Sequence, residues 1–190
     1  MKITAVEIES EIWCNNQLGW IAIPKNGNMA TRRLCDRLNM RRQPYTGQQP
    51  EKLFCVIRDP QTRLISGLNE FKMRKLGKNY FGWPIQDLLE MLLDKPHRFD
   101  EHLEPQALYL GEHRFDYVCK FENIFQDICD IPEIPVVHTE KTISQAKANS
   151  SKAGKIDVIL ADNRCLVDAV LEKYYQQDLE IYNNPQTIMR

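Results

Sequence analysis

The sequence lacks a long hydrophobic run and a marked excess of either charge. No stretch of its 190 residues approaches the ~18 consecutive apolar residues that a membrane-spanning helix requires. The formal net charge is −1, so no general electrostatic attraction draws the chain to nucleic acid or to acidic lipid, and any electropositive site must be local. A chain of this length is sufficient for one hydrophobic core, and we expect a single domain over residues 1–190.

Signals for secretion, zinc binding and redox chemistry are also missing. Acidic residues interrupt the first segment, M-K-I-T-A-V-E-I-E-S, where a signal peptide has an unbroken apolar region. The six cysteines include no C-x-x-C pair, and no cluster of carboxylates suggests a metal. We therefore expect reduced, mostly buried thiols, no metal site and a cytoplasmic location. Because the sequence shows no anchor, we expect either a bacterial or viral protein or a trimmed domain, and the initial methionine favours the former.

Apolar runs that alternate with amphipathic segments predict a three-layer α/β domain. The nearly continuous apolar run L-F-C-V-I is typical of a strand in a parallel sheet that is covered on both faces. Strands are predicted at Gly19–Ile23, Leu53–Ile57 and Tyr117–Phe121. Helices are predicted at about Met29–Met40, from Asp59 onward, at Pro84–Leu93 and at Asn163–Tyr182, the last broken near Gln177.

Three further segments have weaker patterns. Residues 42–50, R-Q-P-Y-T-G-Q-Q-P, are rich in helix and strand breakers and predict a polar turn. Pro135–His138 suggests a fourth strand or an extended edge. Thr139–Lys155 is long and polar, which is typical of a lid, a binding loop or a disordered connection.

The turn after the first predicted strand, P-K-N-G-N, has the composition of an anion-binding turn. The N-terminus of the following helix supplies unpaired N–H groups and a positive dipole end, which favour phosphate. Gly27 permits close backbone approach, and Lys25 adds a positive charge. The triphosphate-binding pattern G-x-x-x-x-G-K-[ST] is absent. The alternative is an ordinary strand–helix turn with a solvated lysine.

The turn after the second predicted strand also carries a cation. Asp59 predicts a helix N-cap, with Pro60 at the first helical position. Arg58 precedes this cap, and Ser66 lies two turns into the helix, so the guanidinium and the hydroxyl suit one phosphate. Arg63 is expected to bind Asp59 or a carbonyl instead. The alternative is an Arg58 salt bridge to a structural carboxylate, with Ser66 as a small packing residue.

Two anion-binding turns in one small domain predict a nucleotide that carries phosphate at both ends. P-K-x-G after the first strand and R-D-P-x-x-R-x-x-S-x-x-x-x-F after the second resemble the signature segments of sulfotransferases that use 3′-phosphoadenosine 5′-phosphosulfate (PAPS). Residues 100–106, D-E-H-L-E-P-Q, resemble the D-x-H-W-x-P-Q segment of Golgi-type carbohydrate sulfotransferases, with Leu103 in place of Trp. F-D-Y-V-C-K-F-E-N at 115–123 and Y-x-x-D-L-E at 175–180 resemble two later segments, so the resemblance spans a core of about 19–182.

The resemblance implies a fold and a reaction. The fold is a P-loop NTPase-like domain with a small central parallel sheet flanked by helices. The reaction moves a sulfuryl group from PAPS to a hydroxyl on a small molecule or a glycan, without a metal. Lys25 and His102 are the implied catalytic residues, with Lys25 stabilising the leaving phosphate and His102 as the base; Glu101 and Glu70 are substitutes. The implied cofactor-binding residues are Lys25, Asn26, Gly27, Asn28, Met29, Ala30, Arg58 and Ser66.

The first turn departs from the family pattern, and this keeps two alternatives open. Family members usually have Ser or Thr near the positions of Asn26, Asn28 and Met29, where hydroxyls assist the 5′-phosphosulfate. One alternative is therefore a module that binds the nucleotide but has lost activity. The other is a nucleotide phosphotransferase of similar fold, against which the missing G-K-[ST] argues.

Overall fold

A mixed five-stranded sheet lies at the centre of the chain. The computed structural model describes residues 11–44, 50–73, 84–94, 101–139 and 162–190. The strands lie in the spatial order β3-β1-β2-β4-β5. They are β1 (Glu11–Cys14), β2 (Leu18–Ile21), β3 (Arg41–Pro44), β4 (Lys52–Ile57) and β5 (Tyr117–Lys120).

The three strands predicted from apolar runs form the parallel part of the sheet. β2 pairs with β4 up to Ile21 and Cys55, and β4 pairs with β5 up to Ile57 and Lys120, both in parallel. All residues of β4 after Lys52 are buried, as expected for a strand with helices on both faces. The predicted α/β class and parallel strands are therefore confirmed.

The remaining two strands make the sheet mixed rather than purely parallel. β1 pairs antiparallel with β2 on one side and with β3 on the other. The segment predicted as a turn from residue 42 is still strand β3 as far as Pro44, so that part of the prediction is wrong. All four residues of β3 are exposed, so the strand shows no burial pattern, and it forms by pairing with β1. Exposed Arg41 and Arg42 are typical of a protected sheet edge.

Helices flank both faces of the sheet. Asp59 caps the second helix as predicted, because its Oδ1 accepts a hydrogen bond from the Thr62 N–H at 2.8 Å. The predicted break in the last helix is also present, at Tyr175. None of the helices among the described residues is long and apolar enough to cross a membrane. The helices are α1 (Asn28–Arg37), α2 (Pro60–Met73), α3 (Ile85–Asp94), α4 (Gln106–Leu110), α5 (Ile124–Cys129), α6 (Arg164–Tyr174) and α7 (Gln176–Asn183).

Residues 136–139 are helical, so the prediction of a strand at Pro135–His138 is wrong. The His138 N–H donates to the Pro135 carbonyl at 2.9 Å, a bond that closes a turn and excludes an extended chain. The fixed φ of proline favours the start of a helix and outweighs the strand preference of the two valines that follow. Of the predicted polar loop Thr139–Lys155, residues 140–155 lie outside the described part of the chain.

The hydrophobic core occupies both faces of the sheet. On one face, Leu34 of α1 and Ile128 of α5 pack near Trp20 of β2. On the other face, residues of α4 and α7, including Tyr109 and Ile181, pack against the opposite side of the same strands. A third cluster joins α2, α3 and α6. All six cysteines are free thiols, and Cys14, Cys35, Cys55 and Cys119 are buried.

Candidate functional site

The turn between β2 and α1 has the backbone geometry of an anion-binding turn. Lys25 has a φ of 70° and Gly27 a φ of 84°, both in the left-handed region. A Cβ at Gly27 would also lie 3.1 Å from the Phe121 ring, so a side chain there would be strained and crowded. No side chain caps the start of α1, so the amides of Asn28 and Met29, which the helix geometry leaves without an intrahelical acceptor, are not satisfied by a cap. Such amides, with the positive end of the helix dipole, favour a phosphate.

Lys25 forms an ion pair with Glu70 of α2. The Lys25 Nζ lies 3.3 Å from the Glu70 Oε2. The Lys25 side chain is 18% exposed and that of Glu70 is 35% exposed, so both groups are partly shielded but reachable from solvent. The structure thus brings one of the three predicted base candidates into contact with the predicted catalytic lysine.

Asn26 has an internal role that the sequence analysis did not predict. Its buried Nδ2 donates to the Val56 carbonyl at 2.8 Å and to the Gln106 Oε1 at 2.9 Å. Its backbone N–H donates to the Ile23 carbonyl at 3.2 Å. Because an asparagine has only these three donor hydrogens, none is left for a bound phosphate. In this structure Asn26 holds the turn, and its predicted contact with the cofactor stays a prediction.

Asn28, Met29 and Ala30 differ in the groups that they could present to a ligand. The Asn28 Oδ1 is buried and has no hydrogen-bond partner among the described residues. The helical spacing of Met29, Leu34 and Leu38 predicts that Met29 faces inward, but Met29 is 65% exposed, so this prediction is wrong. Ala30 is buried, and its N–H donates to the Gly27 carbonyl at 3.0 Å. The amides of Asn28 and Met29, in the first turn of α1, remain the donors of this segment.

Arg58, at the end of β4, reaches the first turn. Its Nη1 donates to the Lys25 carbonyl at 3.0 Å, and its guanidinium lies 4.4 Å from the centre of the Phe121 ring. Burial lowers the pKa of Arg58, and the charge of Glu122 partly offsets that shift. The Nε is buried and has no hydrogen-bond partner in the described part of the chain. A partly desolvated guanidinium with a spare donor is suited to an anion.

Ser66 and His102 lie where α2 packs against the turn at residues 101–104. Ser66 is half-buried, and a methyl group at the neighbouring Gly67 would overlap the His102 carbonyl oxygen. The His102 side chain is only 8% exposed. Its Nδ1 lies 3.9 Å from the Glu101 Oε1, too far for a hydrogen bond. Close packing thus places the His102 backbone against α2, whereas the Glu70 side chain forms the ion pair with Lys25.

Gln106 joins the two turns, and the sequence analysis assigned it no role. Its Oε1 accepts from the Arg58 N–H at 3.1 Å in addition to the Asn26 amide. Its Nε2 donates to the Arg58 carbonyl at 2.9 Å. The residue has no exposed surface, and one side chain therefore holds both segments from inside the protein.

Asp178, in the first turn of α7, holds the start of α4. Its two carboxylate oxygens accept from the N–H groups of Gln106 and Ala107, each at 2.8 Å. Burial raises the pKa of Asp178 to about 6, and the positive charge of Arg63 is the largest opposing effect. The nearby Tyr175 hydroxyl donates to the Leu103 carbonyl. These bonds attach the C-terminal helices to the 101–107 segment.

Arg63 does not bind Asp59 or a carbonyl as expected. It is fully buried, and its three guanidinium nitrogens have no hydrogen-bond partner among the described residues. Its charge acts on Asp178 and on the buried tyrosines Tyr174 and Tyr175. Arg63 therefore has an internal electrostatic role.

These residues bring two cations and a set of free amides to the carboxyl ends of β2 and β4. Ligands of open α/β sheets bind at such an edge. The roles of Gln106 and Asp178 were missed, although both belong to segments that carry the resemblance, because the motif identifies the residues without their hydrogen-bond partners.

Comparison with known proteins finds no matching family model, no matching curated protein and no matching solved structure. Within the described part of the chain, no group of three or more His, Cys, Asp and Glu side chains could hold a metal ion.

Proposed function

We propose that this protein is a PAPS-dependent sulfotransferase with a P-loop NTPase-like fold, and that its acceptor is a hydroxyl, by resemblance that of a carbohydrate. The observation that carries the proposal is the contact between the two anion-binding turns, in which Arg58 donates to the Lys25 carbonyl at 3.0 Å. A nucleotide with phosphates at both ends needs two neighbouring cationic sites. Lys25 and Arg58 provide such a pair at one edge of the sheet.

The first turn suits the 5′ end of the donor. Gly27 leaves space where a Cβ would crowd the Phe121 ring, and the uncapped amides of α1 supply donors. Lys25 adds the charge. The residues that we assign to this end are Lys25, Gly27 and the backbone amides of Asn28 and Met29.

The second turn suits the 3′-phosphate. The Arg58 Nε is a buried donor without a partner among the described residues, and a phosphate oxygen would satisfy it. We assign the Ser66 hydroxyl to the same phosphate, as the family motif implies. The forked guanidinium and the hydroxyl would then bind it together.

The donor, when bound, supplies the sulfuryl group that moves to the acceptor oxygen. Lys25 stabilises the negative charge that develops on the leaving phosphate, which requires its ammonium to turn from Glu70 toward the ligand. Glu70 then accepts the proton of the acceptor hydroxyl. We favour Glu70 over His102 as this base because its carboxylate already lies 3.3 Å from the Lys25 Nζ.

A nucleotide-binding module without transferase activity is a second candidate. The observation that favours it is Met29, whose side chain is 65% exposed at the start of α1, near where family members carry a hydroxyl. Such a module would bind the desulfated nucleotide but would not transfer sulfate.

The first experiment compares the thermal shift caused by adenosine 3′,5′-bisphosphate with that caused by ATP and Mg²⁺. The proposal expects stabilisation by the bisphosphate; stabilisation by ATP and Mg²⁺ alone would contradict it. The second experiment follows transfer of labelled sulfate from PAPS to a panel of glycans and small alcohols.

Lys25→Ala should abolish this transfer and leave the fold intact. The matched control is Lys52→Ala, since Lys52 is at the opposite end of β4 and forms an exposed pair with Asp116. If Lys25→Ala transfers sulfate at the wild-type rate, Lys25 has no role in the mechanism. If the wild-type protein binds adenosine 3′,5′-bisphosphate but transfers sulfate to none of the tested glycans and alcohols, the result would favour the binding module without transferase activity.

A further inference from the structure

We propose that Gln106 is a positioning residue that holds the two phosphate-binding turns at a fixed separation and so sets the preference for a nucleotide phosphorylated at both ends. The inference rests on the proposed function and adds to it a determinant of specificity. No motif predicted this role, and it follows from four hydrogen bonds of one buried residue.

Gln106 holds the backbone of Arg58, just beyond the end of β4. Parallel pairing stops at Cys55 on the β2 side and at Ile57 on the β5 side. Arg58 therefore lies beyond the sheet ladder, and its backbone needs other partners. Gln106 supplies both, because its Oε1 accepts from the Arg58 N–H at 3.1 Å and its Nε2 donates to the Arg58 carbonyl at 2.9 Å. The amide side chain thus replaces a neighbouring strand and fixes the peptide that carries the guanidinium.

Gln106 also holds the first turn, through Asn26. The same Oε1 accepts from the Asn26 Nδ2 at 2.9 Å, and the other hydrogen of that amide goes to the Val56 carbonyl at 2.8 Å. Asn26 stands between Lys25 and Gly27, both of which have a positive φ. A shift of Gln106 would therefore move the turn that holds the 5′ end.

Gln106 is itself held in place by Asp178 and by complete burial. Its backbone N–H donates to Asp178 at 2.8 Å, and its side chain is completely buried. The residue cannot move toward solvent without breaking bonds to three segments. Two binding ends that are held at the correct spacing lose less entropy when one ligand engages both. The benefit of this rigidity is therefore greatest for a ligand with two phosphates.

The experiment measures the dissociation constants of adenosine 3′,5′-bisphosphate and adenosine 5′-monophosphate by calorimetry for wild type and Gln106→Met. Methionine has a similar length but offers no amide. We expect the ratio of the two constants to favour the bisphosphate in wild type, and to fall at least about tenfold in the variant. Gln126→Met, on an exposed residue of α5, is the control and should keep the wild-type ratio. Thermal midpoints report any loss of stability.

The outcomes distinguish a failure of the proposed function from a failure of the role inferred for Gln106. If wild type does not prefer the bisphosphate, the placement of the 3′-phosphate in the proposed function fails. If wild type prefers it but both affinities fall equally in Gln106→Met, Gln106 is only structural and this inference is wrong. If Gln106→Met does not fold, Asn26→Ala, which removes one arm of the same bridge, replaces it, and an unchanged ratio there also overturns the inference.

Discussion

At the scale of single residues, the candidate site depends on polar side chains that point inward. Asn26, Gln106 and Asp178 have almost no exposed surface, and each uses its hydrogen bonds to hold backbone from another segment. Buried polar groups of this kind specify one arrangement because leaving any of them unpaired is costly. The cations Lys25 and Arg58 are thereby set on a rigid support.

Replacing Arg58 by alanine should weaken the binding of adenosine 3′,5′-bisphosphate by about 10- to 150-fold. A hydrogen bond to a charged group is typically worth ~1.5–3 kcal/mol, and the variant loses the proposed contact with the 3′-phosphate. The measurement is calorimetric titration. Arg164→Ala is the matched control, because Arg164 is 85% exposed on α6. An unchanged affinity in Arg58→Ala would show that the 3′-phosphate lies elsewhere.

Replacing Glu70 by glutamine should lower the rate of sulfate transfer by roughly 10²–10⁴-fold if Glu70 is the base. Glutamine keeps the size of the side chain but cannot take the proton. His102→Gln should cost less than about tenfold under the same assignment. Steady-state rates with both variants test this. The opposite ranking would make His102 the base, as the resemblance implies.

At the scale of the elements, α2 connects the two halves of the candidate site. It carries Ser66 and Glu70 at half-buried positions and Gly67 where it packs on the 101–104 turn. The capped start at Asp59 fixes where the helix begins, directly after Arg58. The Asp59 N–H in turn donates to Glu122 at 3.1 Å, and this bond ties the same corner to the segment after β5.

Replacing Gly67 by alanine should destabilise the protein by about 1–3 kcal/mol, because the added methyl group meets the backbone oxygen of His102. The backbone of the 101–104 turn cannot yield as easily as a side chain. Urea denaturation measures the change in the free energy of unfolding. Gln61→Ala, at an exposed position of the same helix, serves as the reference. A Gly67→Ala protein as stable as this reference would mean that α2 and the turn are not in close contact.

At the scale of the whole molecule, segments far apart in the chain interlock around one corner of the sheet. Asp178 holds Gln106, Gln106 holds Arg58 and Asn26, and Arg58 contacts Lys25. The C-terminal helices thereby support the N-terminal turn. Each of these segments thus supplies a hydrogen-bond partner for the next.

The contribution of Asp178 to the stability of the fold should fall as the pH rises from about 4 to about 6. Burial raises the pKa of Asp178 from 3.8 to about 6, so the folded state holds a proton that the unfolded state has already lost in this range. The contribution is present below the unfolded pKa and is lost as the pH passes through the folded one. A shift of this size corresponds to about 3 kcal/mol.

In urea denaturation at several pH values, the free energy of unfolding of wild type should lose about 3 kcal/mol relative to that of Asp178→Asn between pH 4 and pH 6. The control is Asp168→Asn, at a carboxylate that is 57% exposed on α6. Equal slopes in wild type and Asp178→Asn would show that Asp178 does not titrate between pH 4 and 6.

Much of the fold could be predicted because burial leaves a periodic pattern in the chain. The apolar run from Leu53 to Ile57 predicts a buried strand, and the spacing of Leu64 and Leu68 predicts one buried face of a helix. All of these residues are buried. The short helices α4 and α5 and the strands β1 and β3 could not be predicted. They are too short to show a period, and β3 is entirely exposed and exists through its pairing with β1.

The amino-acid sequence alone determined the parallel strands, the start of α2 and the presence of a cation after each of two strands, because these depend on local composition and spacing. Only the tertiary structure decided that Asn26 turns inward, that Glu70 meets Lys25 and that Gln106 bridges the two turns. The reason is physical: a polar side chain can satisfy its hydrogen bonds with many partners, and which one it finds depends on the segments that folding brings beside it.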